Sequence, residues 1–199
     1  SVFQVKNANY RITQPRLRIR HTGKKGWNEW LGYHQTAQNL HQIGSFNISL
    51  PFELWVPSTR KVPPEKVRQY SLGLGWRPSR WNLQVEAYYK KFDRVLTFIS
   101  AGDALFTGGA VDASGWEDRI ALGRGASRGL EVLIEKTAGK TTGTIGYTLS
   151  ASNRLFEDVN SGRPFPLRYD RTHDFKISLR QRIFSWLEAD VAWGFATGN

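Results

Sequence analysis

Glu188 and Asp190 stand two residues apart in a chain of 199 residues. On one face of a strand their carboxyls would lie within ~7 Å, near the separation of the acid and nucleophile in glycoside hydrolysis. Both belong to the polar set of an alternating segment, where a water-facing sheet carries such residues as a rule, so they read as a solvated wall. Glu131 and Glu135 are four apart on a strand and too distant to cooperate. Asp170, His173 and Asp174 could hold a metal or move a proton. Yet adjacent His173 and Asp174 point to opposite faces of a strand, and no companion His has ligand spacing. They read as a strand start, with Asp170 and Arg171 satisfying loop backbone and charge. Gly139-Lys140-Thr141 ends like a phosphate loop. The leading Gly of that motif would fall on Ile134, and the stretch joins two strands instead of opening a helix. Gly123-Arg124-Gly125 lacks the Lys-Ser/Thr ending. No Ser/His/Asp triad can be assembled, and the absence of Cys removes thiolate chemistry. The expectation is no catalysis, no metal and no cofactor.

The charge is the other chemical feature. Lys and Arg number 28 against 17 Asp and Glu, a net charge of +11. Arg16, Arg18 and Arg20 alternate and therefore share a face. A basic β-surface with aromatics can bind nucleic acid through phosphates and stacking. A stripe of arginines can equally line a water-filled interior, pairing with acidic residues or guiding anions.

The elements carrying these residues have a period of two. Tyr70, Leu72, Leu74 and Trp76 share a face, as do Trp81 through Tyr89 at every second position. The pattern recurs at Leu130–Ile134, Ile145–Ala151, Phe175–Leu179 and Leu187–Phe195. Weaker strands are expected around 10–22, where Pro15 marks a bulge or an edge, and around 27–38. The total is about eight. Short turns at 23–26, 78–80, 138–140 and near Phe184-Ser185 alternate with long connections at roughly 39–66, 99–126 and 156–171. In a meander this places every short turn at one end. A membrane barrel has that asymmetry, with short periplasmic turns and long extracellular loops. Trp27, Trp76, Trp81 and Trp186 all adjoin short turns, as an interfacial aromatic girdle would. The bands from Trp81 to Tyr89 and from Leu187 to Phe195 match the ~9–11 residues of a tilted spanning strand. No apolar run reaches the ~18 residues of a membrane helix. The chain opens Ser1-Val2-Phe3, which suits a mature product or a piece of something longer.

Five segments carry a resemblance. Leu50 to Thr59 (LPFELWVPST), Val85 to Lys90 (VEAYYK), Ser127 to Glu131 (SRGLE), Ile145 to Ser150 (IGYTLS) and Tyr169-Asp170-Arg171-Thr172-His173-Asp174 resemble, in order, segments of TonB-dependent outer-membrane receptors of the Bacteroidetes type. The resemblance covers about residues 50–199. It implies an all-β antiparallel meander forming part of a transmembrane β-barrel, about eight strands of twenty-two, in the plugged-transporter class. Residues 1–199 would be a partial barrel domain, with the plug and the C-terminal strands outside this chain.

The resemblance also implies a function. The receptor would capture a nutrient (an iron chelate, glycan, cobalamin-like molecule or peptide) and move it with energy relayed through TonB. Implied partners are the protein's own plug, the TonB complex, outer-membrane lipid and a surface lipoprotein. Nucleic acid is not among them, and the arginine stripe becomes a lumen lining. Loop aromatics Phe52, Trp55, Phe106, Trp116 and Phe165 are the candidate ligand contacts. The competing reading is a soluble basic β-domain that binds nucleic acid.

Overall fold

The computed structural model describes residues 8–44, 53–98, 116–167 and 170–198. Eleven strands occur among them: β1 (Arg16–Thr22), β2 (Trp27–Gln38), β3 (Leu40–Gly44), β4 (Glu53–Pro57), β5 (Glu65–Trp76), β6 (Trp81–Phe98), β7 (Ile120–Lys136), β8 (Thr141–Leu155), β9 (Phe165–Pro166), β10 (His173–Phe184) and β11 (Leu187–Ala196). Eight form one antiparallel sheet in the order β1-β2-β5-β6-β7-β8-β10-β11. The two-residue β9 pairs with β8, and β3 and β4 form a separate hairpin. Neighbours in space are neighbours in sequence once the β3–β4 excursion and β9 are set aside, so the sheet is an open meander. No helix among the described residues is long and apolar enough to cross a membrane, which says nothing of strands.

The four short turns lie at one end, as the spacing requires. Gly139 supplies a positive φ (115°) in the third of them. Lys25 and Ser79 adopt positive φ (57° and 49°), and Gly26 follows Lys25 at 84°. A Cβ on Gly26 would meet the Arg77 carbonyl at 2.7 Å, so the first two turns pack against each other only with glycine there. The β10–β11 turn carries a register shift between Arg182 and Phe184, a bulge that tightens the bend.

Three connections differ from expectation. β1 begins at Arg16 and not near residue 10, because Pro15 cannot donate to the ladder. β1 is then the edge strand. β7 begins at Ile120, inside the stretch expected to be loop. The run Leu122-Gly123-Arg124-Gly125 has no apolar alternation to announce a strand. Its glycines pair with β6 and β8 and leave room for neighbouring side chains. The connection between β2 and β5 is not structureless, since it contains the β3–β4 hairpin.

Register fixes the faces. Tyr33, Tyr70 and Tyr89 are cross-strand partners, as are Leu31, Leu72, Ala87, Leu130 and Leu149 in the next row of the same face. Further toward the turns run Leu74, Val85, Val132, Tyr147, Phe175 and Phe195, then Trp27, Trp76, Leu83, Ile134, Ile145, Ile177 and Trp193. A continuous apolar face therefore crosses all eight strands.

Candidate membrane wall and loop cap

The two faces of the sheet are crowded very differently. Along β5, Tyr70, Leu72, Leu74 and Trp76 are all exposed, while the intervening Gly73 and Gly75 are buried. Leu72 reaches 62% exposure. On the opposite face Trp30 is only 5% exposed. Its indole lies flat across β5, where a Cβ on Gly73 would sit 2.0 Å from the ring. Tyr88 lies likewise over Gly129, Arg154 over Gly125 and Phe156 over Gly123. A curved sheet splays side chains on its convex side and compresses them on its concave side. The apolar set is the convex set.

The concave face is polar and internally paired. Trp30 Nε1 donates to Glu86 at 2.8 Å, and the Arg18 guanidinium stands 5.4 Å over the Trp30 ring. Asn82 Nδ2 donates to Glu135 at 3.0 Å. Arg180 and Asp190 pair at 2.8 Å, as do Arg182 and Glu188. The Glu188–Asp190 couple is thus divided between two cross-strand ion pairs. Such a wall presents water-compatible groups and charge along the concave side.

The convex face is bordered by aromatics at both ends. Trp27 and Trp76 stack with centroids 5.3 Å apart, and Phe184 stacks on Trp186 at 5.6 Å. The structure places Trp27, Trp76 and Trp81 on this face, and the 78%-exposed Trp186 in the β10–β11 turn. Lys136 lies 5.6 Å over the Trp81 ring. Toward the long loops stand Tyr33, Tyr70 and Tyr89. The tyrosines Tyr33 and Tyr70 contact at 5.2 Å. From Trp81 to Tyr89 the apolar band covers roughly 26 Å along the strand at ~3.3 Å per residue. A tilt of ~40° brings this near 20 Å of height, close to the ~25 Å apolar band of membrane barrels. Both borders shift toward later rows from β2 to β11, as they must when strands cross a layer obliquely. A polar pair interrupts the band at His21 and Glu29, 3.3 Å apart and one step from Trp27.

Beyond the tyrosines the logic changes. Val95, Ala121 and Phe156 form a buried cluster, with Phe92, Val159 and Phe165 packed on it. Phe156 is 3% exposed and stacks on Phe165 at 6.0 Å. The loop between β4 and β5 buries Val62, Pro64 and Thr59. Tyr10 hydroxyl donates to the Thr59 carbonyl, and Lys61 pairs with Asp118 of the 3-10 turn before β7. His41 is buried, 2.8 Å from Ser58 Oγ, and burial holds its pKa below the ordinary imidazole range. These contacts tie separate loops into a cap at the long-loop end.

The motif residues fall at the junction of wall and cap. His173 opens β10, its Nδ1 2.8 Å from the Tyr147 hydroxyl on the convex face. Asp174 points the other way and pairs with Lys176 at 3.0 Å. Asp170 donates its backbone N–H to the Leu167 carbonyl, and Arg171 lies 4.0 Å from Asp174. His173 and Asp174 therefore do not converge. Tyr169 lies outside the described residues, as do Phe52 and Phe106. Trp116 begins the 3-10 turn Trp116–Arg119. Trp55 is 52% exposed on β4, whereas Phe165 is half-buried against Phe156. The sequence reading missed Phe156 over Gly123 and Arg154 over Gly125, pairings that only cross-strand register creates.

No match to a curated protein is found. The family described as TonB dependent receptor-like, beta-barrel matches residues 7–198. With an eight-stranded meander, an apolar convex face and a paired polar concave one, the chain belongs to the TonB-dependent receptor β-barrel family and forms part of such a transmembrane barrel, with short periplasmic turns and long extracellular loops.

Proposed function

We propose that this chain is the wall and outer cap of a receptor that captures a scarce nutrient and passes it inward by TonB-driven movement of a plug. Membership of a receptor family supports the general role in outer-membrane reception and transport. The observation that carries the reading is the division of the eight-stranded sheet into a convex apolar band and a concave polar face, ion-paired between β10 and β11. A plug of the same protein fits the concave side, where Arg16, Arg18 and Arg20 share the polar face and form no ion pair among the described residues. Trp27, Trp76, Trp81 and Trp186 act as the periplasmic girdle in this reading, since indoles favour the interface. The cap is the capture surface, and Trp55 is an exposed aromatic on it. An iron chelate, a glycan, a cobalamin-like molecule or a peptide would suit such a receptor. No step forms or breaks a covalent bond, so the chain needs no catalytic group.

Membrane fractionation of the native full-length protein, with gel mobility before and after heating, tests the reading. Recovery in the outer membrane with a heat-dependent shift is expected. Recovery in the soluble fraction would overturn it and make salt-dependent nucleic-acid binding the next test.

A further inference from the structure

Immediately beyond the tyrosine row, the convex face of β5, β6 and β7 turns from apolar to cationic. Arg68 and Lys91 are direct cross-strand partners one outward row above Tyr70 and Tyr89. Arg128 is the partner of Tyr89 on the next strand, and Lys66 and Arg124 flank Asp93 one outward row higher. Five cations thus share a patch three strands wide. Asp93 is the acid within it and pairs with Arg68. Lys66, Lys91, Arg124 and Arg128 form no ion pair among the described residues. Lys91, Arg124 and Arg128 are exposed.

Facing acids are few. Asp170 shares with Arg128 a groove of about 550 Å³ between Tyr89, Asn153 and the β9 segment at Phe165 and Pro166. Glu157 shares a smaller one with Arg124. Directly below lie Leu72, Ala87 and Leu130 with no charge. At the other border of these three strands the outward cation is Lys136, already set over Trp81.

We propose that this patch binds the phosphate groups of outer-leaflet lipid, with Lys91 and Arg128 as the principal contacts. The proposal rests on the lipid-facing assignment of the convex face. Strand spacing and rise place the Cα atoms of Lys91 and Arg128 about 8 Å apart, so both side chains reach one phosphate. Acyl chains of the same lipid then continue onto Leu72, Ala87 and Leu130. The cations sit at headgroup depth, where anionic groups attract Lys and Arg. Arg128 supplies a planar fork suited to a phosphate, and Lys91 a mobile point charge.

The test uses the full-length protein in neutral detergent, titrated with diphosphoryl lipid A and with its dephosphorylated form, read by native mass spectrometry. The wild type should retain the phosphorylated probe preferentially. The double variant Lys91→Gln/Arg128→Gln should lose about tenfold or more in apparent affinity for it and match the wild type on the dephosphorylated probe. Lys140→Gln, in a short turn at the far end, should behave as wild type. Heat-modifiable mobility verifies that each variant is folded, and Lys91→Gln alone replaces the double variant if that one is not. Equal retention of both probes by the wild type, or unchanged affinity in the folded variant, would overturn the lipid proposal while leaving the barrel reading standing. Loss of the mobility shift in the wild type would overturn the barrel reading itself.

Discussion

The wall and the cap are built from the same strands under opposite solvent rules. Along β6, residues from Trp81 to Tyr89 turn their apolar side chains outward and leave the concave side to Asn82, Gln84 and Glu86. A few residues later Val95 is buried inside the cap with Ala121 and Phe156. The boundary falls at Tyr89 on the strand, and the β-bulge comes at Arg94, between Asp93 and Val95. Arg94 has φ 63° there, which bends the strand and re-aims Val95 and the residues after it. In the band, burial against lipid drives the outward display. In the cap water surrounds the loops, and apolar groups gain only by turning inward. One strand therefore carries both hydrophobic codes, with the bulge at Arg94 turning Val95 to the inner side.

Each half of this contrast can be broken separately. The largest effect is expected from Phe156→Ala, which removes a ring 3% exposed from the cap core. The cost is about 3–5 kcal/mol, confined to the cap. Hydrogen exchange in the full-length protein should show the loops opening while heat-modifiable mobility persists; intact loop protection would refute a packed cap. Next comes Leu72→Arg on the convex face, expected to cost ~2–4 kcal/mol on folding into lipid vesicles. On the exterior of a water-soluble sheet the same change would be near neutral, so an effect below ~0.5 kcal/mol would reverse the lipid-facing side.

Gly73→Ala sharpens the concave side. Its Cβ would meet Trp30 at 2.0 Å, and moving the indole breaks its bond to Glu86. A loss of roughly 1–3 kcal/mol is expected by denaturant titration, partly recovered by Trp30→Phe. The smallest effect concerns His41. Its pKa is lowered by burial, so the unfolded cap binds a proton more readily than the folded one. Stability is full above about pH 6.5, the ordinary imidazole value, and falls as the pH drops through the lowered pKa. Protease nicking of the loop around His41 should increase as the medium is acidified below that value, and His41→Gln should flatten the dependence.

Much of the wall was legible in the chain itself. Alternation, four short turns and the tryptophans beside them are local properties, because side-chain direction in a strand depends only on parity and tight turns depend on a few residues. Strand existence from Tyr70 to Trp76 or Leu187 to Phe195 needed nothing distant. Parity does not say which face meets lipid, however, and it cannot pair one strand's tryptophan with another's glycine. Only register set Trp30 over Gly73, Phe156 over Gly123, and Lys91 diagonally beside Arg128 at the tyrosine row. The strand hidden in Ile120–Ala126 and the cap beyond it came from the same source. Glycines carry no hydrophobic signal of their own, and their meaning here is the side chain that a neighbouring strand lays across them.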